Sequence, residues 1–311
     1  MNSLDSDRIS IAALRSVFIL NPVSGRPATR ARRRERVAAF IGRHRLDSRL
    51  LESQGAGHAR ELSRAAVADG VELVVSVGGD GTMNEVGAPL VGEPVMFGIV
   101  PCGSGNGLAR DLGVPQQVDR ALDLLLAARV RVIDTGAVNG LPFFNVAGFG
   151  FDAEVSQRFN RCKERGLVSY FRLGFGALAT VRTQPIVVEP EGAPAETLPA
   201  FMTALANSTQ YGNNAHIAPH ARLDDGRLDV VVVKSGNPVL AFWLGLRAFA
   251  GTIDRARAVR SLQARAFTIR RSGPGPIHTD GEVHDAPATL EVRAVPASLR
   301  VLVPPDRLAG S

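Results

Sequence analysis

The chain has 311 residues, a length that suits two domains, and a hydrophobic content of 45% supplies apolar side chains for two packed cores. Its formal charge of +6 rests almost wholly on arginine, Lys163 and Lys234 being the lysines, and its aromatic content is 5% with one tryptophan, Trp243; so thin a stacking complement argues against a nucleic-acid partner. Cys102 and Cys162 are too few for a disulfide framework or a zinc site, which suits a reducing cytoplasm.

Near the start, Asp5, Asp7, Arg8 and Arg15 interrupt any signal-peptide core, so none is expected. Ser16 to Leu20 (SVFIL) reads as a buried strand that leaves through the turn Asn21-Pro22-Val23-Ser24-Gly25. The arginine-rich stretch Arg30 to Arg45 keeps Val37, Phe40 and Ile41 on one helical face; its charged face meets either solvent or an anionic membrane surface. A strand near Ser48 to Ser53 and a helix over Ala56 to Asp69, with Leu62, Ala65 and Ala66 inward, continue a β-α-β-α order.

The stretch Val71 to Glu85 (VELVVSVGGDGTMNE) organises the rest. Leu73, Val74, Val75 and Val77 form a β-branched run suited to a parallel strand buried on both faces. Gly78, Gly79 and Gly81 then permit positive φ and close approach of a polyphosphate to backbone N–H groups, and Thr82 is placed to cap the following helix. Asp80 would repel a phosphate, so it implies either a compensating cation such as Mg²⁺ or a hydrogen-bonding task within the loop. A plain glycine turn with an Asp cap is the structural alternative.

Pro94 to Val100 gives another strand, and the turn Pro101 to Arg110 (PCGSGNGLAR) is a second phosphate-loop candidate in which Ser104 and Asn106 add side-chain donors. Neither loop is GxGxxG after a first strand or GxxxxGK[ST], which argues against a dinucleotide-binding domain, a P-loop NTPase and a protein kinase. A helix over Val118 to Ala128 and the segment Arg131 to Gly136 lead to a change of composition, and the domain boundary is placed near Asp134. Thereafter short strands are expected at Phe143 to Ala147, Ile186 to Glu189, Phe201 to Ala206, Leu228 to Val233, Ala266 to Arg271 and Ala288 to Val292, an antiparallel sandwich with helices near Asp152 to Asn160, Val168 to Val181 and Pro238 to Ala250. Gly192 to Thr197 reads as a loop. The last helix is too short to span a bilayer and contains Arg247, so any lipid is met from the surface.

Two acidic clusters lie in this half. Leu223 to Asp229 (LDDGRLD) reads equally as a cation site or a capped turn. Ile277 to His284 (IHTDGEVH) sets Asp280 and Glu282 about Gly281, so one tight turn can aim two carboxylates at one place, one as base and the other for a metal; an ordinary Asp-Gly hairpin is the competing reading. The histidine pairs His278 with His284 and His216 with His220 lack a third ligand for zinc.

Taken together, NPVSG at Asn21 to Gly25, VGGDGTMNEV at Val77 to Val86, PCGSGNGLARDLGVP at Pro101 to Pro115, VIDTG, IAPHARLDDGRLDV at Ile217 to Val230 and TDGE resemble the diacylglycerol kinase catalytic-domain family, in the family's order and over nearly the whole chain. That resemblance implies an α/β fold in two domains: an N-terminal parallel α/β nucleotide-binding domain over 1–134, with the tail 304–311 possible as its return, and a C-terminal antiparallel β-sandwich domain over 135–303. It implies ATP as co-substrate, lined by Asn21, Ser24, Gly78, Gly79, Asp80, Gly81, Thr82, Asn84, Gly103, Ser104, Gly105 and Asn106. It implies Asp280 as general base, with Glu282, Asp80 and Asp134 organising a catalytic Mg²⁺, and a structural Mg²⁺ on Asp225 completed by the carbonyls of Arg222 and Arg227. The acceptor would be a lipid hydroxyl at the inner face of a membrane, diacylglycerol or a sphingoid base, with a homodimer left open; Phe143, Phe144, Phe149, Phe151 and the Trp243 helix are candidates to contact its tails. Gly107 departs from the family, many members of which have Asp there. A soluble-substrate kinase and a nucleotide- or lipid-binding regulator without catalysis are the rival readings.

Overall fold

The computed structural model describes residues 10–25, 27–151, 153–155 and 181–305. The helices expected over 152–160 and 168–181, and Cys162, fall largely outside them. The chain forms two compact units, one made by the chain up to Ile133 together with the segment from Ala297, the other by Asp134–Pro296.

The first unit is a parallel sheet. Its strands are β1 (Ser16–Leu20), β2 (Ser48–Glu52), β3 (Leu73–Gly78) and β4 (Met96–Pro101), with the end of a fifteen-residue strand, Thr289–Val303, beside β4; the order is β2-β1-β3-β4 and then that strand, every pair parallel. β1 and β3 are buried along their whole length, which is why they read as unbroken apolar runs. Helices α1 (Pro27–Arg43), α2 (His58–Ala68), α3 (Asp80–Gly87), α4 (Gly107–Asp111) and α5 (Val118–Ala127) make the crossovers. α1 buries Val37 and Phe40, the latter tilted against Phe18 of β1 at 6.4 Å between ring centroids, and α5 buries Ala121, Leu122 and Leu125. Each of Val37, Phe40, Leu122 and Leu125 stabilises the layer by about 1.5–3 kcal/mol. The inward face of α2 is Ala59, Ser63 and Ala66; of the three residues expected inward, Ala66 is buried, Leu62 half-buried and Ala65 exposed, and the Ser63 hydroxyl donates to the Val86 carbonyl at 2.7 Å.

The second unit is an antiparallel sandwich. Its strands are β5 (Arg129–Val138, which enters from the first unit), β6 (Leu141–Phe143), β7 (Val146–Gly150), β8 (Gln184–Pro190), β9 (Glu196–Ala200), β10 (Met202–Ala206), β11 (Gln210–Gly212), β12 (Ala215–His216), β13 (Leu228–Val233), β14 (Val259–Ala264), β15 (Ala266–Arg270), β16 (Gly275–Thr279), β17 (Glu282–Ala286) and β18 (Thr289–Val303). One sheet runs β14-β13-β10-β7-β16-β17; in the other, the start of β18 pairs with β15, then β8 and β9 follow. Between them lie Phe143, Phe149, Val188, Leu205, Val230, Val232, Phe267, Ile269 and Leu290. The outer face of the six-stranded sheet carries α6 (Pro238–Phe249) and the 3-10 turn Ile253–Arg255, through Val231, Val233, Leu244 and Ile253.

Three expectations are corrected here. The loop expected over Gly192 to Thr197 runs into β9 at Glu196. The strand expected over Phe143 to Ala147 is two strands, because the chain breaks at Phe144–Asn145 to turn its amides onto a carboxylate. The return to the first unit begins at Ala297, ahead of the expected 304, since β18 continues unbroken until Arg300 and Val301 pair with Met96 and Phe97.

Candidate active site

The ends of β1, β3 and β4 deliver three loops to one edge. The Asn21 N–H donates to the Val77 carbonyl at 3.0 Å and the Cys102 N–H to the Gly78 carbonyl at 2.7 Å, so the loops leave their strands already tied together. Asn21 Nδ2 donates to Thr82 Oγ1 at 2.9 Å, and Ser24 Oγ lies 3.4 Å from the same oxygen. Thr82 therefore does not cap α3; it is buried in the first turn, its hydroxyl joined to the Asn21–Gly25 loop, and Gly79 is the N-cap residue. The α1 arginines support that loop from below: Arg33 Nη1 donates to the Ser24 carbonyl at 2.9 Å and Arg30 Nη2 to the Gly25 carbonyl at 3.0 Å.

Positive φ is not what Gly78, Gly79 and Gly81 provide, since none of the three adopts it. Their value is nearness. A Cβ on Gly78 would fall on the Thr82 side chain, and a Cβ on Gly103 would lie 2.9 Å from the Gly79 Cα, so the two glycine loops cross backbone against backbone. Gly78, Gly79, Asp80, Pro101 and Asn106 line a cavity of about 10 Å³ there, room for roughly one water. Gly81 alone of these has nothing near it.

Asp80 takes the second of the two tasks open to it. Its Oδ2 accepts from the Asn106 N–H at 2.8 Å and its Oδ1 from the Gly107 N–H at 2.9 Å, so the carboxylate sews the loop after β3 to the start of α4. Burial pushes this carboxyl above its ordinary range, opposed by those two amides and by Arg110. Asn106, left-handed at φ 52°, turns its side chain inward, Nδ2 donating to the Gly103 carbonyl at 2.9 Å and to Gln116 Oε1 at 3.0 Å. It shapes the loop and does not extend a donor from it; Ser104 is the exposed hydroxyl there. Asn84 is buried in α3, which removes it from the loop surface. Burial raises the Cys102 thiol to about 11, opposed by Arg33.

The second carboxylate centre is the β16–β17 hairpin. Thr279 pairs with Glu282 across the two-residue turn Asp280-Gly281, whose φ values of 49° and 89° are those of a type I′ hairpin. The hairpin reading is thus correct, yet the Asp points inward. Asp280 is 8% exposed, and its carboxylate accepts from three consecutive amides, Phe144 N at 2.9 Å onto Oδ2, Asn145 N at 2.9 Å and Val146 N at 3.1 Å onto Oδ1. Asn207 holds that segment from behind, its Nδ2 donating to the carbonyls of Phe144 and Asp134, both at 2.9 Å, while Ser208 Oγ meets Asn145 Oδ1. Asn207 and Ser208 went unnoticed in the sequence because no local pattern marks residues that act 63 positions away. Phe143, Phe144 and Phe149 are core residues and Phe151 stacks on Phe201 at 4.9 Å, so these rings pack the sandwich.

Asp134 belongs to the other acidic cluster. Its N–H donates to the Leu223 carbonyl and its Oδ2 accepts from the Gly226 N–H, both at 2.6 Å. Asp225 Oδ1 accepts from the Arg227 N–H at 3.0 Å, and Gln263 Nε2 reaches both Asp225 Oδ2 and Asp229 Oδ2 at 3.4 Å. The side chain of Arg222 pairs with Asp224 at 3.7 Å. Burial raises Asp225, and neighbouring Asp134 raises it further; burial and Asp225 lift Asp229 to about 6. Carboxylates crowded in this way would suit a divalent cation, which would lower both Asp225 and Asp229. Among the described residues no group of three or more His, Cys, Asp or Glu side chains forms an all-protein metal cage, so any cation held here would need carbonyls and water as well. The histidines, whose pairs lack a third ligand for zinc, have other partners: His216 Nδ1 meets Thr209 Oγ1 at 3.1 Å and His284 Nε2 meets Thr279 Oγ1 at 2.9 Å.

Residues 15–138 match the diacylglycerol kinase catalytic domain, and residues 145–303 match the YegS C-terminal NAD kinase beta sandwich-like domain. A diacylglycerol kinase of Mycobacterium tuberculosis (strain ATCC 25618 / H37Rv) is 30% identical over 294 residues, 92% of this chain and 94% of the relative. The chain belongs to the diacylglycerol kinase family of lipid kinases. A second such kinase, from Bacillus subtilis (strain 168), is 28% identical over 86% of this chain and 89% of its own length. The crystal structure of a diacylglycerol kinase from Bacillus anthracis str. Sterne shares the fold with a TM-score of 0.71 at 22% identity, covering 94% of this chain and 98% of that one. This lipid kinase is therefore a phosphotransferase, with the α/β and sandwich units its family models describe.

Proposed function

We propose that this lipid kinase transfers the γ-phosphoryl group of ATP to the hydroxyl of diacylglycerol or a similar lipid, with Asp280 as the general base. The observation that carries the reading is the clamp on Asp280: three amides fix the carboxylate at a left-handed turn, an arrangement far more elaborate than a surface Asp-Gly hairpin needs. The loops at Gly78–Thr82 and Gly103–Asn106, locked together through Asp80, present backbone N–H groups suited to phosphate oxygens, and Asn21 and Ser24 border them through Thr82. Mg²⁺ accompanying ATP would supply charge neutralisation at the phosphates, and Asp225 with the carbonyls of Arg222 and Arg227 would hold a second, structural cation. In the transfer, the lipid hydroxyl gives its proton to Asp280, its oxygen bonds to the γ-phosphorus, and the bond to the bridging oxygen breaks to release ADP.

The test is transfer of labelled γ-phosphate from Mg-ATP to diacylglycerol, sphingosine, monoacylglycerol and phosphatidylglycerol in mixed micelles, with NAD as a soluble acceptor. A labelled lipid identifies class and substrate together. Labelled NAD alone overturns the lipid reading, and ATP binding without any labelled product points to the regulator. Asp280→Asn should lose about 10²–10⁴-fold in turnover while retaining ATP affinity; unchanged turnover removes Asp280 from the chemistry.

A further inference from the structure

Most of the large apolar side chains exposed among the described residues sit on one helix. On α6, Val239 is 79% exposed, Phe242 63%, Trp243 45%, Leu246 54% and Phe249 48%. Their spacing follows the helical repeat, and Leu240, Leu244 and Ala248 on the opposite side pack against the sandwich. The helix is firmly built: Pro238 opens it and Asn237 Oδ1 caps it, accepting from Val239 N at 2.9 Å and Leu240 N at 3.2 Å. An apolar stripe this rich in aromatics, held rigidly outward, is more than scattered surface hydrophobicity.

Its charge identifies what it meets. α6 contains no acidic residue; Arg247 lies 4.5 Å over the Trp243 ring centroid and donates from Nε to the Thr252 carbonyl. The 3-10 turn packed against α6 ends in exposed Arg255, Arg257 follows, and the one acidic residue of that turn, Asp254, pairs with His220 at 3.4 Å. By contrast, four of the six arginines of α1 have partners within the protein: Arg30 and Arg33 hold the Asn21–Gly25 loop, Arg34 pairs with Glu52 and Arg36 with Asp119. A Trp-Phe-Leu stripe rimmed by arginine suits the headgroup boundary of an anionic bilayer.

We propose that α6 is the membrane-docking element of this lipid kinase, seating Val239, Phe242, Trp243, Leu246 and Phe249 among the acyl chains of an anionic phospholipid surface with Arg247, Arg255 and Arg257 at the headgroups. The proposal deepens the lipid-kinase reading by naming the surface that brings the chain to its substrate.

Trp243, the single tryptophan, reports on this face directly. The full chain is mixed with vesicles of phosphatidylcholine containing phosphatidylglycerol, and Trp243 emission is followed with and without brominated acyl chains. A blue shift, quenching by bromine and weaker binding at high salt are expected, and Phe242→Ser combined with Leu246→Ser should weaken vesicle affinity about tenfold or more. That variant should keep its far-ultraviolet circular dichroism and its rate on a water-soluble short-chain diacylglycerol. Trp243 that ignores vesicles, or that is already blue-shifted and shielded from acrylamide without lipid because another segment or a second copy covers it, overturns the proposal. Bromine quenching without phosphate transfer to any lipid upholds α6 and sinks the kinase chemistry; transfer with unquenched Trp243 does the reverse.

Discussion

Asp80 shows how a residue can be placed correctly from sequence and still have its partners unread. A carboxylate in a phosphate loop demands either a cation or hydrogen bonds, and the structure gives it the Asn106 and Gly107 amides, 26 and 27 positions away. Gly107 is one of those donors. The three glycines of GGDGT separate in the same way. Gly78 and Gly79 are small because neighbouring chain passes close by, a reason visible only once the loops are folded together. Gly81 is exposed, has no positive φ, and a Cβ there would meet nothing within 4 Å, so the fold does not require its smallness, whereas the phosphate of the proposed reading would. Gly81→Ala should therefore stabilise α3 by up to about 1 kcal/mol and at the same time weaken ATP binding, a pairing that a thermal melt and a calorimetric titration can check together.

At the level of elements, β1, β3 and β4 were legible because a parallel strand buried on both faces needs an unbroken apolar run, and α1 and α5 because their apolar residues repeat at helical spacing. The interruption between β6 and β7 was not legible, for its cause is the Asp280 carboxylate more than 130 positions on. The acidic turn before β13 makes a measurable prediction. Buried Asp229 keeps its proton to about 6, against 3.8 ordinarily, so between those values the folded chain binds more protons than the unfolded one. Stability should fall as pH rises from 3.8 to about 6 and level off above, by up to about 3 kcal/mol, and Asp229→Asn should flatten that slope in a series of thermal melts. Added Mg²⁺ at neutral pH should raise Tm in the parent protein and leave Asp225→Asn unmoved, the signature of a cation that binds the folded state at this cluster.

On the scale of the whole molecule, the two-unit plan was readable from the change of composition after α5, whereas the late crossing of β18 was not: its first half alternates as in any sandwich strand, and only the three-residue apolar run Val301 to Val303 marks the half that joins a parallel sheet. Leu299, Val301 and Val303 are nevertheless wholly buried in the first unit. Val301→Asp should cost several kcal/mol, on the order of the 3–5 kcal/mol of other unpaired buried charges, and hydrogen exchange should show the amides of β3 and β4 losing protection first. The same strand reverses the usual timetable of synthesis. Asp134–Pro296 is one continuous stretch and can close its sandwich as it emerges, but the sheet that contains Ser16–Leu20, the first strand among the described residues, keeps the edge of Met96–Pro101 open until Ala297–Val303 has left the ribosome. The unit that is started first is finished last, and through that interval its bare strand edge is the part of the nascent chain most in need of a chaperone.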